Sequence, residues 1–120
     1  MAFINSKQQI PRVYPVPQHV GPKVLPNFTL LNQLLYYAAR HSTIAIDDVA
    51  LDIHASHAQL LSDVLHLRNE LQAQLELSVQ QRLLRGEEVY ICLLASGGYE
   101  FAVGFLAIMA LGAIIVPICK

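Results

Sequence analysis

The residue types that carry most protein chemistry occur in one short cluster. Asp47, Asp48 and Asp52 precede His54 and His57, and the two histidines are three residues apart. Imidazole and carboxylate groups hold a transition metal when three or four of them converge on one ion. The sequence contains no second pair with metal-ligand spacing, and both cysteines lie in segments that are typical of core strands. The pattern therefore indicates surface histidines at a strand-to-helix turn, and we assign no metal ligand.

A second candidate for chemistry is the turn at Ser96-Gly97-Gly98. Amide groups at a helix N-terminus bind anions such as phosphate. However, neither G-x-x-x-x-G-K-[ST] nor G-x-G-x-x-G occurs, and no serine has a G-x-S-x-G surround. Glu87, Glu88 and Glu100 bracket the turn and its preceding strand, and we interpret them as solvated ends of elements. We therefore expect no catalytic and no cofactor-binding residue in this chain.

The elements that position this turn are predicted from residues 86–118. Residues 89–95 form a short apolar run rich in residues that favour a pleated, buried strand. Residues 99–111 are apolar on almost all sides, which predicts a buried helix, and residues 114–116 predict a second strand. Gly112 fits just past the helix end, and Pro117 fits where a strand leaves its sheet. The segment thus predicts a right-handed βαβ crossover and an α/β fold.

Two helices and short strands are predicted before this unit. Residues 27–41 predict a helix that Asn27 or Thr29 caps. Residues 44–46 and 49–53 are two short apolar runs, which predict a small hairpin or two short strands.

A long helix is predicted to begin at Ser56, where Ser56 and Gln59 have the spacing of a capping box. Apolar residues recur at intervals of three and four and form one stripe: Leu60, Val64, Leu67, Leu71 and Leu75. The opposite face is predicted to carry four polar residues: Asp63, Asn69, Gln72 and Glu76. The helix either continues to a stop at Gly86 or breaks near Leu77-Ser78. His66 is expected on its flank.

Residues 1–26 hold five of the six prolines and predict an extended arm, because proline fixes its backbone angle and lacks a ladder donor. Residues 27–120 follow this arm, and the 120 residues together have the length of about one small domain.

Composition restricts the classes of partner. The net charge of −1 gives no electrostatic case for binding nucleic acid. The hydrophobic fraction of 54% with only 14% charged residues predicts apolar surface that meets a partner, another segment or lipid.

Residues 101–119 carry no charge and are long enough to cross a bilayer as one helix, which is a rival interpretation of that segment. Cys92 and Cys119 are expected as buried thiols, and no secretory signal is visible.

Several of these residues resemble a known family. The segments GEEVYICLLA at 86–95, GYEF at 98–101 and FLAIMALGAIIVPI at 105–118 are similar to the N-terminal region of adenylate-forming (AMP-binding) enzymes, which include acyl-CoA synthetases, luciferases and peptide-synthetase adenylation domains. The family pattern is a G-D-x-V strand, an N-S-x-E-[FY] turn and a helix ending in A-G-[AG]-x-x-V-P. This chain departs from it at residues 96–98, where the family often has Asn-Ser-Pro, and at Leu111.

The similarity extends over about residues 27–118, and its most specific part is 104–118. Residues 56–60 resemble the family's T-Y-x-E-L, in which only Leu60 matches strictly. Residues 29–41 resemble an opening helix that ends in A-A-x-x-x-P, with Ser42 near the usual proline.

The resemblance implies that residues 27–120 are the truncated N-terminal part of an AMP-binding domain. Enzymes of that family activate a carboxylate with ATP and Mg²⁺ and pass the acyl group to a thiol such as CoA. The family's Ser/Thr/Gly-rich phosphate loop and its catalytic lysine have no counterpart among these 120 residues. We therefore expect a fragment that binds none of these cofactors and is inactive alone. In that family the segment at 101–119 is a buried helix and strand, so the resemblance implies a cytoplasmic protein without a membrane span.

Two alternatives remain open at this point. One is a small non-catalytic binding or scaffold protein that self-associates or pairs with a full-length relative through an open sheet edge. The other is a single-pass membrane protein with a helix at 101–119.

Overall fold

The computed structural model of this chain describes residues 2–5, 26, 28–40 and 42–118. The described elements are, in chain order, β1 (Ala2–Asn5), α1 (Thr29–Arg40), β2 (Ile44–Asp48), β3 (Ile53–Ser56), α2 (His57–Gln74), α3 (Leu77–Leu84), β4 (Tyr90–Leu94), α4 (Tyr99–Leu111) and β5 (Ile114–Ile118). The fold is mixed α/β, as expected.

A parallel sheet of strand order β1-β4-β5 forms one part of the structure. The connection from β4 through α4 to β5 joins neighbouring parallel strands, so the predicted βαβ crossover is present. The helix bounds agree with the prediction, whereas β4 is shorter than residues 89–95 and β5 extends beyond residue 116. Gly112 ends α4 in a left-handed conformation (φ 82°), as predicted.

The prediction that Pro117 marks the exit from the sheet was wrong. Pro117 lies inside β5 and is paired with Leu93. Proline is tolerated there because β5 is an edge strand of the described sheet.

The prediction for the N-terminal arm was also incomplete. Ala2–Asn5 forms β1, which pairs in parallel with β4. The extended arm was predicted from five prolines within residues 11–26. The four-residue strand before them was not predicted. The rest of the predicted arm, apart from Pro26, lies outside the described residues.

The predicted hairpin is present as a separate two-stranded antiparallel sheet. Its second strand is Ile53–Ser56, so residues 49–52 form the turn and not a strand. Residues 49–53 were predicted to be a strand because Val49 and Leu51 are apolar, but both side chains are exposed in that turn. Asp52 adopts a positive φ of 54° in the turn, a conformation that aspartate tolerates better than most residues.

The core lies around α2, which packs against α1, α4 and the hairpin. Four of the five residues of its predicted apolar stripe are buried, and so are the neighbouring Leu61 and Leu65. The fifth, Leu75, is partly buried and is the C-cap residue of α2. The helix ends at Gln74, and the break to α3 falls at Leu75-Glu76. The side chain of Gln80 donates to the carbonyl oxygens of Gln72 and Leu75 at 2.7 and 2.8 Å, which satisfies two acceptors exposed by the break.

The capping box at Ser56 is only half formed. The amide of Gln59 donates to Ser56 Oγ at 3.1 Å. The Gln59 side chain does not return to the cap residue, because it donates instead to Asp63 Oδ1 at 3.1 Å. In α1, Thr29 is the first helical residue, and Asn27 lies outside the described residues.

Residues 101–118 contain all of α4 except its first two residues, and then the strand β5. Among the described residues, no helix is both long enough and apolar enough to cross a bilayer.

The close contact between α4 and β4 gives the first testable prediction. A Cβ atom on Gly104 would lie 2.7 Å from Leu93 Cδ1. We therefore expect G104A to destabilise the wild-type chain by about 1 kcal/mol through overpacking. In an L93V background, which removes the contacting methyl group, G104A should stabilise by up to about 1 kcal/mol, because alanine is the better helix former.

Urea denaturation of the four chains in this double-mutant cycle measures the coupling. The matched control is G97A, because a Cβ on Gly97 meets nothing within 4 Å. Its effect should add to that of L93V, and additivity of G104A with L93V to within about 0.5 kcal/mol would contradict the packing described here.

Candidate functional site

A carboxylate from the hairpin occupies the N-terminus of α4. The backbone amide of Tyr99, the first residue of α4, donates to Asp48 Oδ2 at 2.9 Å. Asp48 ends β2 and is 8% exposed, and its other oxygen, Oδ1, accepts from the amide of Leu51 at 3.2 Å. The hydrogen bond from Tyr99 is the main cause that lowers the pKa of Asp48, and the amides of Leu51 and Ala50 add to it, whereas burial opposes it.

The glycine turn fits this carboxylate closely. Gly98 is the N-cap residue of α4 and has φ 93° and ψ −149°, a region that residues with a Cβ rarely adopt. Glycine has no side chain to cap the helix, and Asp48 from a distant strand supplies the acceptor instead. A Cβ atom at Gly98 would lie 2.4 Å from Asp48 Oδ2. The carboxylate therefore fits here because residue 98 has no side chain.

The side chain of Tyr99 is bonded to a second carboxylate. Its hydroxyl donates to Asp63 Oδ2 at 2.5 Å, and Asp63 Oδ1 accepts from Gln59. Tyr99 and Asp63 are 0% and 1% exposed, respectively. We call Asp48, Asp63 and Tyr99 together the Tyr99 clasp, because the two carboxylates bond both polar donors of one residue.

Burial is the main cause that raises the pKa of Asp63, and it outweighs the hydrogen bonds from Tyr99 and Gln59 and the charge of His66. Burial also raises the pKa of Tyr99, and the neighbouring Asp63 carboxylate adds to that rise. Tyr99 therefore keeps its proton and acts as the donor. The two carboxylates of the clasp thus have pKa values shifted in opposite directions.

The prediction that Asp63 lies on the solvent face of α2 was wrong. Asp63 follows Leu60 by three residues and precedes Leu67 by four, so the helical period places it beside the apolar stripe. Asn69 and Gln72 are exposed, as predicted, and Glu76 is exposed but lies beyond the end of α2. The position of Asp63 beside the apolar stripe was the available signal that this polar residue is buried. No local spacing indicates its partner Tyr99, which is 36 residues away along the chain.

The two histidines of the sequence cluster do not converge. His54 Nδ1 lies 2.8 Å from Asp47 Oδ1, and Nε2 lies 3.0 Å from Asp52 Oδ1, all on exposed side chains. The hydrogen bond to Asp52, followed by the charge of Asp47, raises the pKa of His54. His57 instead packs on the ring of Tyr37 at a centroid distance of 5.3 Å. In the part of the chain that the structure describes, no three His, Cys, Asp or Glu side chains are placed to hold a metal ion.

The acidic residues that bracket β4 lie on the surface. Glu87 is paired with Arg85 at 2.5 Å and lies 3.9 Å from Arg82. Glu88 accepts from the hydroxyl of Tyr90 at 3.0 Å, and this contact raises the pKa of that tyrosine.

The remaining candidates also lie apart. Glu100 is partly buried in the first turn of α4, and Cys92 is buried in β4. His66 is partly exposed and lies 3.2 Å from Glu70 on the same helix, as expected for its flank. Cys119 and Lys120 lie outside the described residues.

The arrangement bears directly on the phosphate-binding hypothesis. The amide of Tyr99 that could bind an anion at the start of α4 already donates to Asp48, and a second anion at that position would be repelled by the carboxylate. The residues at this turn therefore do not fit a nucleotide phosphate. Their chemical role is to fix the hairpin and α2 to the start of α4.

Comparison with protein-family models, with curated proteins and with the solved structures finds no match to this chain.

Substitution of Gly98 tests the close fit of the turn. We expect G98A to destabilise the chain by more than about 3 kcal/mol, because about 1–3 kcal/mol of backbone strain adds to the clash with Asp48. G86A is a matched control for strain alone, since Gly86 also has a positive φ of 73° but a Cβ there meets nothing within 4 Å. It should cost about 1–2 kcal/mol, measured by urea denaturation. Equal effects of the two variants would contradict the contact with Asp48.

The pKa shift of Asp63 gives a prediction for pH. Its pKa is higher in the folded chain than in the unfolded chain, so the folded chain holds the proton more tightly. The stabilising contribution of this group is complete below the ordinary value near 3.8 and is lost as the pH rises through the folded-state pKa. D63N, which keeps an acceptor for Tyr99, should therefore gain stability relative to wild type across that rise.

Thermal unfolding of wild type and D63N between pH 3 and pH 7 measures this difference. E76Q is the matched control, because Glu76 is an exposed acid outside the clasp and its side chain makes no capping hydrogen bond to α3. A constant difference in Tm between wild type and D63N over the whole range would contradict the raised pKa.

Proposed function

We propose that this chain is the N-terminal part of an adenylate-forming enzyme of the acyl-CoA synthetase type, a carboxylate-activating ligase. The observation that supports the proposal most is the agreement between motif and structure at residues 86–118. The residues similar to the G-D-x-V motif lie directly before β4, and the rest of that resembling segment, to residue 95, contains β4. Those similar to the turn motif begin α4, and those similar to A-G-[AG]-x-x-V-P end α4 and form most of β5.

Under this proposal, the parallel sheet is the beginning of a larger α/β domain. The strands β4 and β5 are apolar along their length, which is typical of strands covered on both faces. Yet Tyr90, Ile114 and Ile118 share one face of the sheet, because they occupy alternate paired positions, and all three are exposed to between 38% and 43%. That partly exposed apolar face supports the idea of a partial subdomain.

The proposed role of the 120-residue chain is structural, not catalytic. Its glycine turn holds Asp48 and does not fit a phosphate, and its sequence contains no phosphate loop with its lysine. ATP, Mg²⁺ and CoA belong, in this proposal, to a longer relative in the cytoplasm.

ATP–pyrophosphate exchange tests the proposed lack of catalysis. We expect the purified chain to give exchange equal to the buffer blank with short, medium and long carboxylic acids, because the residues that would bind the nucleotide phosphates are missing. A full-length acyl-CoA synthetase under the same conditions is the positive control. Exchange that depends on both the chain and an added acid would contradict this part of the proposal.

Sequencing the transcript past the codon for Lys120 tests the family assignment itself. A frame that continues and soon encodes a Thr/Ser/Gly-rich stretch ending in Pro-Lys is the expected result. A frame that continues into unrelated sequence without such a stretch would overturn the assignment.

The scaffold hypothesis makes a different use of the same sheet. In the described sheet β1 and β5 are the edge strands. Under this hypothesis one of them pairs with a strand from a partner. Copurification of a stable complex with a full-length relative would favour this hypothesis over a purely partial domain.

A further inference from the structure

His54 lies between two carboxylates on the exposed face of the hairpin. Its Nδ1 atom is 2.8 Å from Asp47 Oδ1, and its Nε2 atom is 3.0 Å from Asp52 Oδ1. Asp47 is the residue paired with His54 in the register of β2 and β3, whereas Asp52 belongs to the turn that joins the two strands. We call these three residues the His54 bridge, because the imidazole ring connects β2 to the turn.

The geometry of the bridge requires one protonation state of the ring. Ionised carboxylates only accept hydrogen bonds, so each ring nitrogen of His54 has to donate one. A neutral imidazole carries a single N–H, and the imidazolium carries two. In the neutral ring, one nitrogen would present its lone pair to a carboxylate oxygen, and the two atoms would repel each other. Both contacts therefore form together only when His54 is protonated.

The charged groups around His54 all favour the proton. The hydrogen bond to Asp52 is the largest cause that raises the pKa of His54, and the charge and hydrogen bond of Asp47 follow. The neighbouring Ile53 and Ala55 are buried on the opposite face of β3, where the hairpin packs against α2. In the part of the chain that the structure describes, no charged side chain of α2 contributes to the pKa of His54.

The turn that the bridge holds is connected to the Tyr99 clasp. Asp52 has a φ of 54°, and its amide donates to the carbonyl oxygen of Val49 at 3.4 Å. The Asp52 side chain is 91% exposed, so its contact with His54 is what restrains it. The preceding residue, Leu51, donates its amide to Asp48 Oδ1 at 3.2 Å. The conformation of the turn at Asp52 therefore affects a hydrogen bond to a carboxylate of the clasp.

We propose that His54 is a proton-sensitive switch of the hairpin turn, in which the imidazolium fixes Asp52 and the neutral ring releases it. Asp52 is the carboxylate released, because the strand register keeps Asp47 opposite His54. Release of Asp52 loosens the turn and weakens the bond from Leu51 to Asp48. This inference rests on the geometry of the hairpin and is independent of the proposed function.

The sign of the pH dependence follows from the raised pKa. The folded chain holds the His54 proton more tightly than the unfolded chain does. The stabilising contribution of the bridge is therefore complete below the ordinary value of 6.5 and is lost as the pH rises through the folded-state pKa. Asp48 does not titrate in this range, because its pKa is lowered from an ordinary value of 3.8.

An NMR titration of the full chain from pH 5 to pH 9 tests the proposal. Ring ¹⁵N shifts distinguish the imidazolium from the two neutral tautomers. We expect His54 to titrate above 6.5 and to keep its remaining proton on Nδ1, facing Asp47. The amide resonance of Leu51 should shift with the same midpoint. A Leu51 amide that stays constant while His54 titrates would overturn the proposal, and so would a neutral ring protonated on Nε2.

Substitution of the histidine separates this switch from other titrations. In H54Q, which has no titrating ring, we expect the Leu51 amide to lose its shift above pH 6. Solvent exchange of that amide, relative to its intrinsic rate, should accelerate about threefold across the His54 titration in wild type and stay constant in H54Q. H66Q is the matched control, because His66 is paired with Glu70 on α2 and should leave both responses as in wild type. Responses of equal size in wild type and H54Q would overturn the proposal.

Discussion

Tyr99 begins α4 with its amide bonded to Asp48 and its hydroxyl bonded to Asp63. These two bonds join three parts of the chain that are far apart in sequence: the hairpin, α2 and the βαβ unit. Because both carboxylates are buried, an unpaired donor or acceptor at this junction would be costly. The start of α4 is therefore fixed relative to α2 and β2, and the position of α4 over β4 follows from it.

The Tyr99 clasp also explains why the turn before α4 contains glycine. A strand, a glycine turn and a helix are features shared with phosphate-binding sites, in which the helix amides face an anion. Here the anion is the protein's own Asp48, and the positive φ of Gly98 with its open backbone gives that carboxylate room. In this chain the same local structure thus holds the hairpin, α2 and α4 together, which agrees with the proposed non-catalytic role.

The local elements of the fold were predictable from sequence to different degrees. The bounds of α4 follow from an apolar segment between Gly98 and Gly112, and the structure agrees with them. The strand β1 was missed because four residues before a proline-rich stretch give no periodic signal. The hairpin turn was taken for a strand because Val49 and Leu51 are apolar, although they are exposed.

The candidate site was less predictable, because it depends on contacts between distant segments. Asp48 reaches Tyr99 across 51 residues, and no spacing in the sequence indicates that contact. Asp63 gave a partial signal through its position beside the apolar stripe of α2. What local patterns cannot supply is the tertiary packing that buries both carboxylates against one tyrosine.

The most direct test of the Tyr99 clasp is an NMR titration of the folded chain that follows the side-chain carboxyl carbons of Asp48 and Asp63 together with the Tyr99 amide proton. The clasp predicts that Asp48 titrates below its ordinary range and Asp63 above it, and that the Tyr99 amide shift follows the titration of Asp48. A Tyr99 amide proton that does not respond while Asp48 titrates at its ordinary pKa would contradict the bond on which this description of the fold depends.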